Sequence, residues 1–249
     1  WRPKSAYHWR LSSRGRDSNI NGWSTKKQNS MEIKTLLTNE EQLTSWLFQR
    51  LSISSRFRLE CTKEEAVTLL RSAIKAEVLS RNRTPVFTAE TNAVIDRIAT
   101  LLTNNPPSKF GVMMSGQCGN GKTTMSKAIS NSIQTLSLSG RYSSPNLMVP
   151  FMTAKEIVST TDEERDKIKR SNLLSIDDMG NEPLERLTYG NVTNPLVDVL
   201  EYRYDKQLFT IVTTNLTPPQ ITEKYGQRIA DRFREMFEVI VFQGGSFRF

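Results

Sequence analysis

One stretch constrains this chain more than any other: Gly116-Gln117-Cys118-Gly119-Asn120-Gly121-Lys122-Thr123-Thr124, which fits the pattern G-x-x-x-x-G-K-[ST] in full. An apolar run, Phe110–Met114, comes before it, and text with helical periodicity, Lys122–Leu136, comes after. Strand, tight turn and helix is the setting the pattern needs. The glycines let backbone N–H groups wrap phosphates, and the helix N-terminus adds a favourable dipole. A glycine-rich turn before any helix would explain the glycines alone, but not motif, strand and helix together. The spacing therefore predicts that Gly116, Gln117, Cys118, Gly119, Asn120, Gly121, Lys122, Thr123 and Thr124 hold a nucleotide. In that reading the cofactors are ATP and Mg2+, with Lys122 across the β- and γ-phosphates and the Thr123 hydroxyl on the metal.

The text around the motif alternates between two periods. Short apolar runs at Phe110–Met114, Leu147–Phe151, Leu173–Ile176, Leu208–Val212 and Phe237–Phe242 read as buried strands, and helical text separates them. Thr153 to Glu156 caps one helix, Asn194 with Pro195 opens another, and Thr217-Pro218 opens a third that Gly226 ends. Five strands with helical crossovers predict an α/β fold, a parallel sheet covered by helices on both faces, over residues 85–249.

Upstream, Thr38 to Glu41 and Thr62 to Glu65 read as capping boxes. The first precedes Leu43, Trp46, Leu47 and Leu51, and the second a stripe of Val67, Leu70, Ile74 and Val78. Arg81 to Pro85 looks like a linker, and a helix over Glu90–Leu102 turns Val94, Ile95, Ile98, Leu101 and Leu102 inward. Residues 31–84 are thus expected to form a small helical N-terminal region. Residues 1–30 carry seven cations against Asp17, which is six of the net charge of +8. They read either as a basic arm or as a disordered extension ahead of a natural start at Met31, and the second reading is preferred.

With two cysteines far apart and one histidine, no zinc-site spacing occurs. No apolar run approaches the length of a membrane span, so a cytoplasmic protein with no membrane partner is expected.

Two further strands end in polar residues. Leu173-Leu174-Ser175-Ile176 leads into Asp177 and Asp178, where open α/β sheets bind ligands. Asp177 would hold Mg2+, largely through water, and Asp178 would orient or deprotonate an attacking water. Taken alone, the pair is a strand end with a turn cap. Thr210 to Thr214 leads likewise into Asn215, a candidate for the γ-phosphate or the water, or a turn residue before Leu-Thr-Pro-Pro. Arg228 and Arg232 lie one helical turn apart. Their planar forks suit a developing phosphoryl charge, although a solvated basic face, or pairs with Asp231 or Glu235, would account for them as well.

From about Pro85 onward these segments resemble the AAA+ ATPases of the DnaC/IstB type, bacterial helicase loaders and the related transposition ATP-binding proteins. Gly116–Thr124 matches Walker A, Ile176-Asp177-Asp178 matches Walker B, and Thr213-Thr214-Asn215 looks like sensor 1. Arg228-Ile229-Ala230-Asp231-Arg232-Phe233 is similar to the arginine-finger box, and Gly245-Ser246-Phe247-Arg248 to the terminal sensor 2 segment. The resemblance implies an AAA+ core and an ATP-dependent homo-oligomer. Arg228 or Arg232 would reach a neighbour's ATP, and Arg248 the nucleotide of its own subunit. It further implies DNA replication work, loading a DnaB-like replicative helicase onto single-stranded DNA, with residues 31–84 gripping the helicase. The alternative within the family is an accessory ATPase acting with a transposase on duplex DNA. Many AAA+ proteins carry Glu where Asp178 stands, which keeps a slowly hydrolysing or non-hydrolysing adaptor open; a P-loop kinase for a small metabolite is the reading outside the family.

Overall fold

A computed structural model describes residues 37–50, 56–142, 147–183, 186–188 and 191–243. The chain divides into two compact units after Ser52. The expectations for residues 1–30, for Met31, Leu51 and the terminal Gly245–Arg248 segment lie outside the described residues.

In the first unit, helix α1 spans Glu40–Arg50. Its cap is Asn39 rather than the expected Thr38: Asn39 Oδ1 accepts from the Gln42 N–H at 3.1 Å, three residues on. Asn competes with Thr for that position on equal or better terms, so the frame moves by one residue. Leu43 and Trp46 are half-buried, while Leu47 is exposed.

The second unit is built on a five-stranded parallel sheet. Its strands are β1 (Gly111–Gly116), β2 (Phe151–Thr153), β3 (Leu173–Met179), β6 (Phe209–Thr214) and β7 (Glu238–Phe242), in the order β2-β3-β6-β1-β7. All five expected strands are present, though β2 starts where its apolar run ends. A short antiparallel hairpin, β4 (Arg186–Thr188) with β5 (Asn191–Thr193), was not expected. Three-residue strands carry too little pattern to read.

Successive strand residues feed opposite cores, which is why the runs are apolar throughout rather than alternating. Val112, Met114, Leu173 and Ile211 pack under α2 (Lys63–Leu79), α3 (Ala89–Thr103) and α4 (Lys122–Leu138). Met113, Leu174, Ile176 and Val212 pack under α5 (Ala154–Ser159), α7 (Pro195–Asp205), α8 (Pro218–Tyr225) and α9 (Gln227–Met236). Between α5 and α7 lies α6 (Asp162–Lys169), opened by a Thr161–Glu164 capping box that the sequence reading passed over.

The expected boxes at Thr62–Glu65 and Thr153–Glu156 are both closed, and Asn194, Thr217 and Gly226 bound their helices as read. Helix α2, counted with the N-terminal region on sequence grounds, contributes Ala66, Leu70 and Ile74 to the core of this second unit, which begins at Ile53. No described helix is long and apolar enough to cross a membrane.

Candidate nucleotide site

The site forms where β1, β3 and β6 end. Between β1 and α4 the chain must reverse within a tight loop, and glycines permit it. Gly121 caps α4 at φ 94°, a left-handed conformation that side chains resist. At Gly116 a Cβ would come within 2.5 Å of both Asn120 Nδ2 and the Phe242 carbonyl oxygen. The loop therefore lies tight against the end of β7, and Asn120 Nδ2 donates to that same carbonyl at 3.2 Å.

Lys122 is buried, with 5 % of its surface exposed. Its Nζ donates to the Gly116 and Gln117 carbonyls at 2.8 and 2.7 Å and to Asn120 Oδ1 at 3.1 Å. A buried ammonium needs such acceptors. These three are neutral oxygens, weaker partners than a phosphate.

Thr123 and Asp177 meet across the gap between α4 and β3. The Thr123 hydroxyl donates to Asp177 Oδ1 at 3.0 Å and lies 3.2 Å from Oδ2. A second hydroxyl, on Thr213 of β6, donates to Asp177 Oδ1 at 2.5 Å and accepts from the Asp178 N–H at 2.9 Å. One side chain thus holds both acids. Beneath them the Ser126 and Ser175 hydroxyls bond at 2.6 Å, small groups that let α4 lie close on the sheet.

The acids sit on a β-bulge. Ile176 pairs with Val212 and Met179 with Thr214, so β3 carries one residue more than β6 between those pairs, and Asp178 takes φ 56°. A bulge re-aims side chains that strict alternation would send to opposite faces. Sequence reasoning named Asp177 and Asp178 as candidates and Thr213 only within Thr213-Thr214-Asn215, with no role of its own. Its signal was a hydroxyl-bearing residue in the middle of a strand buried on both faces, where each polar group must find a partner.

Asn215 joins the cluster through Nδ2, which lies 3.6 Å from Cys118 Sγ. Its Oδ1 is buried with no hydrogen-bond partner among the described residues. Thr124 Oγ1 accepts from Arg81 Nη1 at 3.1 Å.

The arginine pair is not part of this cluster. Arg228 and Arg232 both reach Glu201 of α7, at 2.9 and 2.7 Å, rather than Asp231 or Glu235. Arg228 stays 73 % exposed, whereas Arg232 is 23 % exposed and also lies over the Tyr204 ring. Arg248 lies outside the described residues.

Residues 88–249 match the family model described as IstB-like ATP binding protein. The chain belongs to the IstB-like ATP-binding family. Among solved structures it is similar to the DnaC helicase loader, with a TM-score of 0.50 and 19% identity over 64% of this chain and 93% of that one. DnaI gives 0.48 and 19% over 68% and 93%, and AMPPCP-bound DnaA from Aquifex aeolicus 0.44 and 17% over 63% and 48%. No curated protein matches. The DnaC likeness bears on the fold: this IstB-like chain has the AAA+ P-loop architecture, and the family implies nucleotide binding at the loop just described.

Proposed function

We propose that the chain binds Mg-ATP between Gly116–Thr124 and the Asp177–Asp178 bulge, hydrolyses it, and uses the cycle to load a DnaB-like replicative helicase onto single-stranded DNA. The observation that carries the ATPase reading is the Thr123–Asp177 pair, 3.0 Å apart and pinned from behind by Thr213. Oxygen donors are what Mg2+ prefers, and Thr123 and Asp177 would hold it beside the nucleotide phosphates, Asp177 largely through water. The metal would draw charge off the β- and γ-phosphate oxygens.

The chain's own groups do the rest. Lys122 exchanges its loop carbonyls for phosphate oxygens, a stronger charge-assisted bond. Asp178 accepts the proton of the attacking water, and Asn215 Oδ1, a buried acceptor without a partner among the described residues, holds that water's other hydrogen. Exposure favours Arg228 over Arg232 as the residue that reaches a neighbouring subunit's ATP. Hydrolysis would then loosen the subunit interface and release the partner.

A second reading, an accessory ATPase working with a transposase on duplex DNA, is favoured by the family match over residues 88–249. ATP turnover by the full chain, with no DNA, single-stranded DNA or duplex DNA, separates them. The loader reading expects stimulation by single strands and a fall of roughly 10²- to 10³-fold in Lys122→Ala, the loss typical of a charge-stabilising donor. Stimulation by duplex alone shifts the weight to the transposition reading. Turnover by Lys122→Ala equal to that of the parent chain removes the ATPase assignment.

A further inference from the structure

Arg81 lies outside every motif read from the sequence, in a stretch taken for a linker. It instead reaches the P-loop helix, with its side chain partly exposed. Helix α2 ends at Leu79, and the chain turns back on itself there: the Arg81 and Arg83 N–H groups both bond the Val78 carbonyl, and Asn82 takes φ 55°. That turn brings the Arg81 guanidinium to α4. Nη1 donates to Thr124 Oγ1 at 3.1 Å, while Nη2 pairs with Glu77, one turn back on α2. Glu77 is largely buried, and its other cation is Lys127, 3.6 Å away on α4.

Thr124 is the third residue of α4, so its N–H belongs to the first helical turn, whose amides have no partner within the helix. Those amides and the loop cradle the α- and β-phosphates of a nucleotide, while Lys122 reaches the β- and γ-phosphates and Thr123 and Asp177 would hold the metal. Arg81 therefore stands one hydroxyl away from the α-phosphate side. A guanidinium carries five N–H donors in a fixed plane, so it can keep Glu77 on one edge and offer the other to an anion.

We propose that Arg81 is a nucleotide-binding residue acting in its own subunit: oriented by Glu77, its guanidinium takes the α-phosphate side of a bound nucleoside di- or triphosphate at Thr124. The proposal rests on the nucleotide-site reading and adds a contact common to ATP and ADP. Arg81 differs in this from a group that reaches only the γ-phosphate, which would distinguish the two nucleotides.

The test is titration of ATP and of ADP into the full chain and into Arg81→Ala and Arg81→Lys, with melting of each protein in the absence of nucleotide. Expected is a weakening of roughly tenfold in Arg81→Ala, as for loss of one charge-assisted hydrogen bond, by the same factor for ATP and ADP, and partly restored in Arg81→Lys. An unchanged affinity, or a loss confined to ATP, overturns the proposal. If Arg81→Ala melts early, Arg81→Gln, which keeps the stem and its packing, is judged by the same two criteria. Failure of the unsubstituted chain to bind either nucleotide would instead sink the site reading itself.

Discussion

The two ends of the parallel sheet both bury cations, and they treat them in opposite ways. At the N-terminal ends of β3 and β6, Arg203 of α7 is fully buried. It donates to Thr210 Oγ1 at 2.8 Å, to the Ser171 and Phe209 carbonyls at 2.6 Å each, and to the Lys169 carbonyl at 3.2 Å. Burial pushes its pKa down to about 9, which leaves it charged at neutral pH. Arg56 nearby is likewise bound by the Pro107 and Ser108 carbonyls and by Gln207. Those acceptors are mostly main-chain oxygens, of β6 and of the segments that lead into β1 and β3, and an incoming ligand would have to pull the sheet entrance apart to reach Arg203. At the C-terminal ends, Lys122 also bonds oxygens, but they belong to the last residue of β1, to the loop that follows it and to an Asn side chain. Exchanging them for phosphate takes only a movement of the lysine side chain, with the strands left paired. A buried cation is a structural part or a binding part according to who owns its acceptors.

Replacing each cation breaks that comparison most directly. Arg203→Met strands several buried acceptors and should cost ~2–3 kcal/mol of stability, a fall in melting temperature of roughly 5–10 °C, with nucleotide affinity of the folded protein unchanged. Lys122→Ala should do the reverse, melting near the parent chain while losing nucleotide. Thermal melts and titrations on the same two variants suffice. Equal stability for Arg203→Met would show that the base of the sheet tolerates exchange after all.

How much of this was legible beforehand follows the same division. The P-loop declared itself because Gly116, Gly121, Lys122 and Thr123 must sit at fixed offsets for the chain to wrap a phosphate, and local rules therefore suffice. The five sheet strands and the boxes at Thr62–Glu65 and Thr153–Glu156 were legible for the same reason, while the Thr161–Glu164 box was passed over and the cap of α1 was read one residue early. The role of Thr213 was not legible, since its partners Asp177 and Asp178 lie 36 and 35 residues away in sequence and no spacing rule links them. Arg81 was hidden by its surroundings: Asn and Pro nearby suggested a linker, and nothing local shows that the turn after α2 closes onto Thr124. The bulge at Asp178 and the Glu201 partner of both finger candidates are likewise tertiary facts.

Arg228 and Arg232 sharpen the comparison, because they share one acceptor but differ in exposure. Arg232, mostly covered and stacked on Tyr204, belongs with the structural cations; Arg228 keeps most of its surface open. Arg228→Ala should melt with the parent chain yet turn over ATP about tenfold more slowly at protein concentrations that favour assembly, a loss of ~1.4 kcal/mol. Arg232→Ala should lower stability by ~1 kcal/mol, a modest value set by a partly exposed pair and a ring contact. Rates measured over a range of protein concentrations decide it. A larger rate loss in Arg232→Ala would reverse the assignment.

The smallest expected effect contrasts the two cysteines, one at the site and one away from it. Cys118 is exposed in the P-loop, 3.6 Å from Asn215, while Cys61 is half-buried just before α2. Burial pushes the Cys61 thiol above its ordinary pKa, and neighbouring Glu65 adds to the shift. A raised thiol pKa means less thiolate at neutral pH, and thiolate is the form that alkylates. Iodoacetamide at pH 7.5 should therefore label Cys118 several-fold faster than Cys61, as read by mass spectrometry of the two peptides. Adding ATP should slow Cys118 alone, because the loop would close around phosphate while nothing near Cys61 changes. Protection of Cys61 to the same degree would mean that nucleotide acts on the whole unit rather than on the loop, and the local exchange of acceptors at Lys122 would no longer account for binding.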